Sequence, residues 1–239
     1  FNDGGLPAAP FRTDPWMAAP GRVIRVACIG DSITYGSGIG NRAANAYPAR
    51  LQDLLGSELF EVRNFGKPGA GIHRARNKYD RSVEHAEALA FQPDIVICNL
   101  GINDLNDWGR FGRGAFIGEY RNLVDAYAGL PTDPVFILWH RLAPLFPGQT
   151  FHGDPNIETL NRWIAEAAAV TGARTIDMYA HFSNHPEWFP DHIHPNEAGA
   201  QEVAEQTFQF LATLEELPGT PPTVEPVGTA TGTTRTHGR

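Results

Sequence analysis

Two segments far apart in the chain carry residues that could perform acyl-transfer chemistry together. The segment GDSIT at residues 30–34 contains Ser32, and the segment DHIHP at residues 191–195 contains Asp191 and His194. Asp and His three residues apart share a face of a helical turn, so the carboxylate could hold one ring nitrogen and leave the other as a base. Such a base activates a serine hydroxyl, which is a poor nucleophile until its proton is removed. The pattern Asp-x-x-His is common, so this hypothesis requires a fold that brings the segments together.

Two further segments could supply hydrogen-bond donors to the same chemistry. The segment NFGKPGAG at residues 64–71 contains Gly66, and the segment GIND at residues 101–104 contains the amide of Asn103. Acyl transfer develops negative charge on the carbonyl oxygen, and fixed donors stabilise that charge without reorganising. Taken singly, each segment is also explained by a turn, because glycine permits tight turns and asparagine forms Asx turns.

Apolar runs and helical patterns alternate along the chain and predict the elements that carry these segments. The predicted strands are Val23–Gly30, Phe60–Phe65, Asp94–Leu100, Pro134–Trp139 and Arg174–Met178, and apolar residues at successive positions are typical of a buried parallel sheet. The predicted helices lie near Ala46–Leu55, Ser82–Phe91, Phe116–Leu130 and Ile157–Thr171, and a last helix has Pro195 in its first turn. This alternation predicts an α/β fold, a three-layer α/β/α sandwich with a five-stranded parallel sheet. Ligands bind such sheets beyond the carboxyl ends of the strands.

The four segments, in this order, resemble the SGNH hydrolases, the GDSL-type esterase family, over about residues 23–212. The resemblance implies a flavodoxin-like sandwich in which Ser32 is the nucleophile, His194 the general base and Asp191 its orienting carboxylate. It also implies an oxyanion hole formed by the N–H groups of Ser32 and Gly66 and by the side-chain amide of Asn103.

Within that family the sequence is most similar to carbohydrate O-acetylesterases. The resemblance implies an ester hydrolase that removes O-acetyl groups from sugars or polysaccharides, so the expected partner is a small-molecule or glycan ester. A lysophospholipase or thioesterase-like acyl hydrolase is the first alternative. A non-catalytic glycan-binding module is the second, although such a module would be expected to lack one of the three catalytic residues.

Aromatic and basic side chains near the four segments are the candidate substrate contacts. These candidates are Tyr35, Arg74, Arg76, Trp108, Arg110 and Trp188. Further aromatic candidates for the cleft wall are Phe111, Phe146, Phe151 and Phe189. The arginines, with Lys78 and Arg113, form two basic loops that could orient an anionic sugar, although a run of charge is usually a solvated surface.

A metal site or a nucleotide site could also use some of these residues, and the sequence favours neither. The histidine-rich stretch at residues 181–194 has no glutamate beside His181, and Pro186 interrupts the preceding helix. The segment NDLND at residues 103–107 lacks the glycine and terminal glutamate of a calcium-binding hand. The segment GSG at residues 36–38 fits neither a dinucleotide fingerprint nor a Walker motif. We therefore expect no metal and no cofactor.

Composition excludes several other classes of protein. The chain has 239 residues, of which 42% are hydrophobic and 19% charged, as in soluble globular proteins. A net charge of −8 gives no general attraction for phosphate backbones, so no nucleic-acid partner is expected. No run approaches the ~18 consecutive apolar residues of a membrane span. Cys28 and Cys98 lie in apolar runs, which predicts buried thiols.

Three regions of the chain differ in composition. Residues 1–21 predict an irregular amino-terminal arm, residues 22–217 the hydrolase domain, and residues 218–239 a flexible tail rich in Thr, Pro and Gly. The start at Phe1 and the composition of the tail are compatible with export and favour a secreted or periplasmic location. The sequence predicts no particular oligomeric state.

Overall fold

The structure of the chain, a computed structural model, describes residues 22–73, 76–107, 109–139 and 157–214. The described residues form a parallel sheet whose strands β1 to β5 are Ile24–Gly30, Phe60–Gly66, Ile95–Asn99, Val135–Trp139 and Arg174–Ile176. The strand order is β2-β1-β3-β4-β5, and every neighbouring pair is parallel. This is the flavodoxin-like order, and the predicted α/β fold is therefore confirmed.

Helices connect the strands and cover both faces of the sheet. In chain order, α1 to α8 are Ser32–Tyr35, Arg42–Asn45, Tyr47–Leu55, Val83–Ala90, Arg113–Ala128, Ile157–Thr171, Met178–Phe182 and Glu197–Leu211. Short 3₁₀ helices lie at Tyr79–Arg81, Ile102–Asp107 and Pro186–Trp188. Asp31 caps α1, Ser82 caps α4 and Asn196 caps α8, and each side chain accepts from a backbone N–H of the first turn.

Alternate side chains of the central strands enter two hydrophobic cores, one on each face of the sheet. Ile29 and Cys98 belong to the core formed with α4, α5 and α6. Cys28 and Ile97 belong to the core formed with α3, α7 and α8. Because both faces are covered, the strands are apolar at successive positions. Both thiols are buried, as predicted, and neither forms a disulfide; burial raises the pKa of the Cys28 thiol to about 12.

Most element boundaries lie within one residue of the prediction, and the larger differences occur at three places. β5 ends at Ile176 and not at Met178, because Asp177 caps α7 by accepting from the Ala180 N–H at 3.1 Å. α5 runs from Arg113 to Ala128, earlier at both ends than predicted. Pro195 does not lie in the first turn of the last helix, since Asn196 is the cap and the helix begins at Glu197.

The strand order reverses between β1 and β3, because β2 lies on one side of β1 and β3 on the other. Sheets of this kind bind ligands at such a switch point, outside the carboxyl ends of the strands. Ser32 follows β1 and Asn103 follows β3, so both residues lie there.

Several predicted regions lie outside the described residues, namely the arm at 1–21 and the tail at 218–239 together with residues 215–217. Among the helices that the structure describes, none is both long and apolar enough to cross a membrane.

Candidate active site

Ser32 is held at the carboxyl end of β1 by a tight strand-to-helix turn. It is the first residue of α1, and the Asp31 side chain caps that helix by accepting from the Ile33 N–H at 2.9 Å. Gly30 is required before the turn, because a Cβ there would lie 2.6 Å from the backbone carbonyl oxygen of Asn99 and 2.2 Å from Thr34 Oγ1. N–H groups in the first turn of a helix have no acceptor within the helix. The turn therefore places both the hydroxyl and the N–H of Ser32 at the carboxyl edge of the sheet.

Asp191 and His194 lie in an irregular turn, not on a helix. Asp191 Oδ1 accepts from the Ile193 N–H at 3.0 Å and from the His194 N–H at 2.7 Å, and His192 has a left-handed φ of 69°. Aspartate side chains bond nearby backbone N–H groups, and Pro195 disfavours helical geometry at the residue before it. The prediction of a helical turn is therefore wrong, although the two side chains do lie side by side.

The Asp191 carboxylate and the Ser32 hydroxyl bond to opposite nitrogens of the His194 ring. Asp191 Oδ2 lies 2.6 Å from His194 Nδ1, and Ser32 Oγ lies 2.8 Å from His194 Nε2. Because an ionised carboxylate can only accept, Nδ1 donates to it, and Nε2 of the neutral ring accepts from the Ser32 hydroxyl. The three side chains form one continuous chain of hydrogen bonds.

Hydrogen bonds favour the ionised form of Asp191. Partial burial acts to raise the pKa of this carboxyl, but donation from the His194 N–H, the His194 ring and the Ile193 N–H outweighs burial and holds the pKa below its ordinary value. The Asp191 side chain is 53% exposed and that of His194 is 23% exposed. A carboxylate in this state fixes the ring orientation and would stabilise positive charge on the ring.

The amide of Asn103 converges on the same edge from the end of β3. Its Nδ2 donates to the Ala70 carbonyl at 2.9 Å and lies 3.5 Å from Asp31 Oδ2, at the long limit of a hydrogen bond. The first bond links the loop after β3 to the loop after β2. The second contact reaches the residue next to Ser32, so the amide lies beside the serine-bearing turn.

Gly66 ends β2 against the backbone of α1. A Cβ at this position would lie 2.2 Å from the Tyr35 nitrogen and 2.7 Å from the Thr34 carbonyl carbon, so only glycine fits. The Gly66 N–H donates to Asn64 Oδ1 at 2.9 Å, and Asn64 Nδ2 donates to the Thr34 carbonyl at 2.8 Å. Packing against α1 therefore requires glycine at position 66. An oxyanion would have to compete with Asn64 for the Gly66 N–H.

Asp104 joins two loops of the site, a role that sequence reasoning missed. Its side chain is fully buried and accepts from the Ile72 N–H at 2.9 Å and from the His73 N–H at 2.7 Å. These bonds tie the loop after β2 to the loop after β3. No spacing in the sequence pairs Asp104 with residues 72 and 73, because the contact depends on strand order.

Two aromatic candidates lie on segments that border the site, Tyr35 at the end of α1 and Phe111 in the loop before α5. The Arg42 guanidinium lies 3.7 Å from the centre of the Tyr35 ring, at the end of α1. Phe111 stacks on His73 with ring centroids 4.6 Å apart. Three of the aromatic candidates, Trp108, Phe146 and Phe151, lie outside the described residues. Substrate contact by Tyr35 and Phe111 stays a prediction.

Packing accounts for the aromatic candidates that precede Asp191. Trp188 stacks on His185 with centroids 3.8 Å apart and meets Phe182 edge-on at 5.3 Å. Phe189 is only 1% exposed and lies in the core with α7 and α8. These contacts favour a structural role for both residues over contact with substrate.

The histidines of the same region pair with carboxylates. His181 Nε2 lies 2.7 Å from Glu202 Oε1, and His185 Nδ1 lies 2.8 Å from Glu187 Oε1. Within the part of the chain that the structure describes, no group of three or more His, Cys, Asp or Glu side chains is arranged to hold a metal ion.

Some of the basic candidates form ion pairs with acidic residues, and others are exposed. The ion pairs are Lys78 with Asp80 and Glu119, each at 2.6 Å, and Arg113 with Glu166. Arg76 and Arg110 are exposed, and Arg74 lies outside the described residues. Because two of these cations have acidic partners, less positive charge faces an anionic substrate than the sequence suggests. A preference for anionic sugars stays a prediction, and one that these pairs weaken.

One family model matches the part of the chain that contains all four segments of this site. The family model described as the GDSL-like Lipase/Acylhydrolase family matches residues 28–202, which is most of the chain. The chain belongs to this family. As a GDSL-like lipase/acylhydrolase, it carries the serine-bearing segment at the start of the match and the histidine-bearing segment near its end.

Similar proteins of known sequence or structure include several esterases. The chain is 32% identical over 203 residues to an acetylxylan esterase of Xylanibacter ruminicola, and the match covers 76% of this chain and 42% of that protein. It therefore spans less than half the length of that curated relative. A solved acetyl xylan esterase has a TM-score of 0.63 at 22% identity over 78% of this chain and 99% of its own.

Two further solved structures extend this likeness. An acetylxylan esterase from Geobacillus stearothermophilus has a TM-score of 0.63 at 21% identity, covering 83% of this chain and 98% of its own. A two-domain esterase active on acetylated mannans has a TM-score of 0.61 at 22% identity, and the match covers 86% of this chain and 55% of that esterase. At these identities the likeness shows a shared fold.

Proposed function

We propose that this chain is a carboxylic ester hydrolase that removes O-acetyl groups from sugars or polysaccharides, with Ser32, His194 and Asp191 as its catalytic triad. One observation carries the proposal: the unbroken chain of hydrogen bonds from Asp191 Oδ2 through both nitrogens of His194 to Ser32 Oγ, at 2.6 and 2.8 Å. Such a chain is what a serine needs to lose its proton as it attacks a carbonyl.

The reaction has two halves. In the first, Ser32 Oγ bonds to the acetyl carbon while its proton passes to His194 Nε2, and Asp191 stabilises the resulting imidazolium. The tetrahedral intermediate then breaks its bond to the sugar oxygen, which leaves with the proton from His194. In the second half, water loses a proton to His194 and attacks the acetyl-serine, and acetate leaves as Ser32 regains its proton.

Three donors would stabilise the oxyanion of each intermediate. They are the Ser32 N–H at the start of α1, the Asn103 amide beside Asp31, and the Gly66 N–H at the end of β2. The single N–H of Gly66 donates to Asn64 Oδ1, so the developing charge must draw it from that acceptor. The Asn103 amide has two N–H donors and can keep its bond to the Ala70 carbonyl. A full negative charge competes well for the Gly66 N–H, since hydrogen bonds to ionised acceptors are roughly twice as strong as neutral ones.

The sugar ester is favoured by the relatives of this chain. The acetylxylan esterase of Xylanibacter ruminicola is 32% identical to it over 203 residues, and the solved neighbours include esterases of acetylated xylans and mannans. Fold alone does not fix a substrate, so the acetyl preference requires a test of its own.

The test is a series of 4-nitrophenyl esters from acetate to octanoate, together with acetylated xylan. We expect the acetate to be hydrolysed fastest, with acetic acid also released from the xylan, because a short acyl site excludes long chains. A rate that rises steadily with acyl length would instead indicate a lysophospholipase-like enzyme. No hydrolysis of any ester by the intact protein would indicate a glycan-binding module.

A further inference from the structure

A groove with a volume of about 490 Å³ lies between α2, α3 and the edge strand β2. Small side chains form much of its surface, among them Ala44, Ala46 and Ala49, so the neighbouring backbone is left recessed. Arg42, Asp53 and Asn64 add polar groups to its walls. The groove thus combines a shallow apolar floor with a polar border.

Hydrogen bonds fix the walls of this groove in place. Gln52 of α3 donates to the Phe60 carbonyl at 3.1 Å and accepts from the Val62 N–H at 2.7 Å, which anchors α3 to the edge strand. Asn64 anchors the end of the same strand to α1 through the Thr34 carbonyl. Ligand sites are usually largely preformed, and this groove meets that condition.

The same bonds argue against a peptide as the occupant. An extended peptide binds a sheet edge by pairing with its exposed backbone groups. In β2, the Gln52 side chain already pairs with the Phe60 carbonyl and the Val62 N–H. A peptide strand would have to displace this side chain before it could pair there.

The charged groups of the groove balance each other. Arg42 uses one of its five N–H donors for the Tyr35 carbonyl at 3.3 Å, and the others remain for a ligand. Asp53 is exposed, and among the described residues no side chain pairs with its carboxylate. One cation and one anion offer both donors and acceptors without net charge, which suits neutral hydroxyl-rich rings better than an acidic chain.

The groove begins beside the proposed nucleophile. Arg42 and Asn64 both contact the Tyr35 carbonyl, and Tyr35 closes the single turn of α1 that starts at Ser32. One turn of helix advances only about 5.4 Å. The near end of the groove therefore lies about one helical turn from Ser32, close enough for a polymer whose ester lies at Ser32 to reach it.

We propose that this groove is a distal subsite that binds the unmodified pyranose units of a neutral polysaccharide whose acetyl group lies at Ser32. The inference rests on the proposed function, because it places the main chain relative to the ester that is cleaved. It predicts that the enzyme distinguishes a polymer from a small ester through residues that lie outside the triad and the oxyanion hole.

The test compares two groove variants with one matched control. Ala49→Trp fills the groove, and Asp53→Ala removes an acceptor from an exposed position. Ala169→Trp, on the exposed surface of α6, introduces the same bulky side chain elsewhere. For each protein, kcat/KM is measured on acetylated xylan and on 4-nitrophenyl acetate, and binding of deacetylated xylo-oligosaccharide is measured calorimetrically on a Ser32→Ala background.

The ratio of kcat/KM on xylan to that on the small ester should fall about 2- to 10-fold in Asp53→Ala, which loses one or two hydrogen bonds. It should fall at least as much in Ala49→Trp, because the indole occupies the space of the sugar. Oligosaccharide binding should weaken in parallel, and Ala169→Trp should alter neither quantity. An unchanged ratio and unchanged binding in both groove variants would overturn the proposed subsite but would not contradict the proposed esterase activity. If the wild type cleaves no ester, the proposed function fails, and the binding measurement still decides whether the groove holds a glycan.

Discussion

At the scale of single residues, Asn103 is a proposed oxyanion donor whose position two hydrogen-bond contacts specify. Its Nδ2 lies between the Ala70 carbonyl and Asp31 Oδ2, and the loop that contains Ala70 is held by buried Asp104. An amide oriented in this way loses little freedom when an oxyanion forms beside it. Preorganised donors of this kind act mainly on the transition state, where the charge develops.

Replacing Asn103 by Ala should therefore reduce kcat by roughly 10²–10³-fold and leave KM nearly unchanged. Steady-state kinetics on 4-nitrophenyl acetate measures both constants. Asn122→Ala removes the same amide from the exposed surface of α5 and serves as the control. A raised KM with kcat preserved would mean that Asn103 binds the substrate before the reaction.

The motif residues can be predicted from the sequence, but the structural contacts that explain why several of them are needed cannot. The family resemblance singles out Gly66 as a donor, whereas the structure also requires a glycine there because a Cβ would clash with the backbone of α1, which no sequence pattern reveals. Asp104 follows Asn103 directly, yet its partners lie 31 and 32 residues away. Roles that depend on which strands are neighbours become visible only in the folded chain.

At the scale of elements, Asn196 connects the histidine-bearing turn to α8. Its Oδ1 caps the helix by accepting from the Gly199 N–H at 2.9 Å. Its Nδ2 donates to the Glu187 carbonyl at 2.9 Å, and its backbone N–H donates to the Trp188 carbonyl at 2.8 Å. The bonds to residues 187 and 188 close the loop that contains Asp191 and His194, so one residue serves both the helix and the loop.

Asn196→Ser separates these two functions. Serine caps helices about as well as asparagine, so the thermal stability should change little, but it has no amide to donate to the Glu187 carbonyl. We expect kcat to fall roughly 10- to 100-fold because His194 is less precisely held against Ser32.

Ser82→Ala is the control for capping alone. It removes the acceptor for the His85 N–H at the start of α4 and should cost about 1 kcal/mol of stability with kcat unchanged. If Asn196→Ser lowers stability and leaves kcat intact, Asn196 is only a cap.

Helices and strands are predicted well because their apolar periodicity is local, and boundaries less well because caps compete with periodicity. The predicted fifth strand runs through Asp177, whose side chain instead starts α7. The predicted helical turn at Asp191 is wrong. The three-residue spacing of Asp191 and His194 is compatible with a helix, but Pro195 disfavours helical geometry at His194.

At the scale of the whole molecule, one of the two cores adjoins a buried histidine. The core with α4 and α5 adjoins the buried His85, whose ring lies edge-on to Tyr79 and Tyr127. Burial lowers the pKa of His85, while the charge of Asp80 acts in the opposite direction. Folding therefore disfavours the protonated ring.

This pKa shift predicts that stability decreases in mild acid. As the pH falls below the ordinary histidine pKa of about 6.5, the unfolded chain binds a proton at this ring that the folded chain does not. The free energy of unfolding should therefore fall between pH 7.5 and pH 5.5, as measured by urea denaturation. His85→Gln cannot titrate and should lose less stability over that interval; an equal loss would show that other groups are responsible.

The parallel sheet is the predicted feature that does most to locate the candidate site. Alternation of strands and helices predicts such a sheet, and the motifs that follow its strands then fall at one edge. The pairing of Lys78 with Glu119 and of Arg113 with Glu166 could not be predicted, because each of these two carboxylates lies on an element brought close only by packing. Surface charge in the sequence therefore overstates the positive field near the cleft.

The most direct test of the proposed triad is covalent labelling by an alkyl fluorophosphonate, read out by peptide mass spectrometry. We expect a single labelled residue, Ser32, in the wild type. Ser32→Ala should remain folded, because it loses a single oxygen at the cleft, yet it should neither be labelled nor hydrolyse 4-nitrophenyl acetate. Ser57→Ala, an exposed serine far from the triad in sequence, should be labelled normally at Ser32. Labelling at another residue, or wild-type activity in Ser32→Ala, would contradict the assignment of the nucleophile.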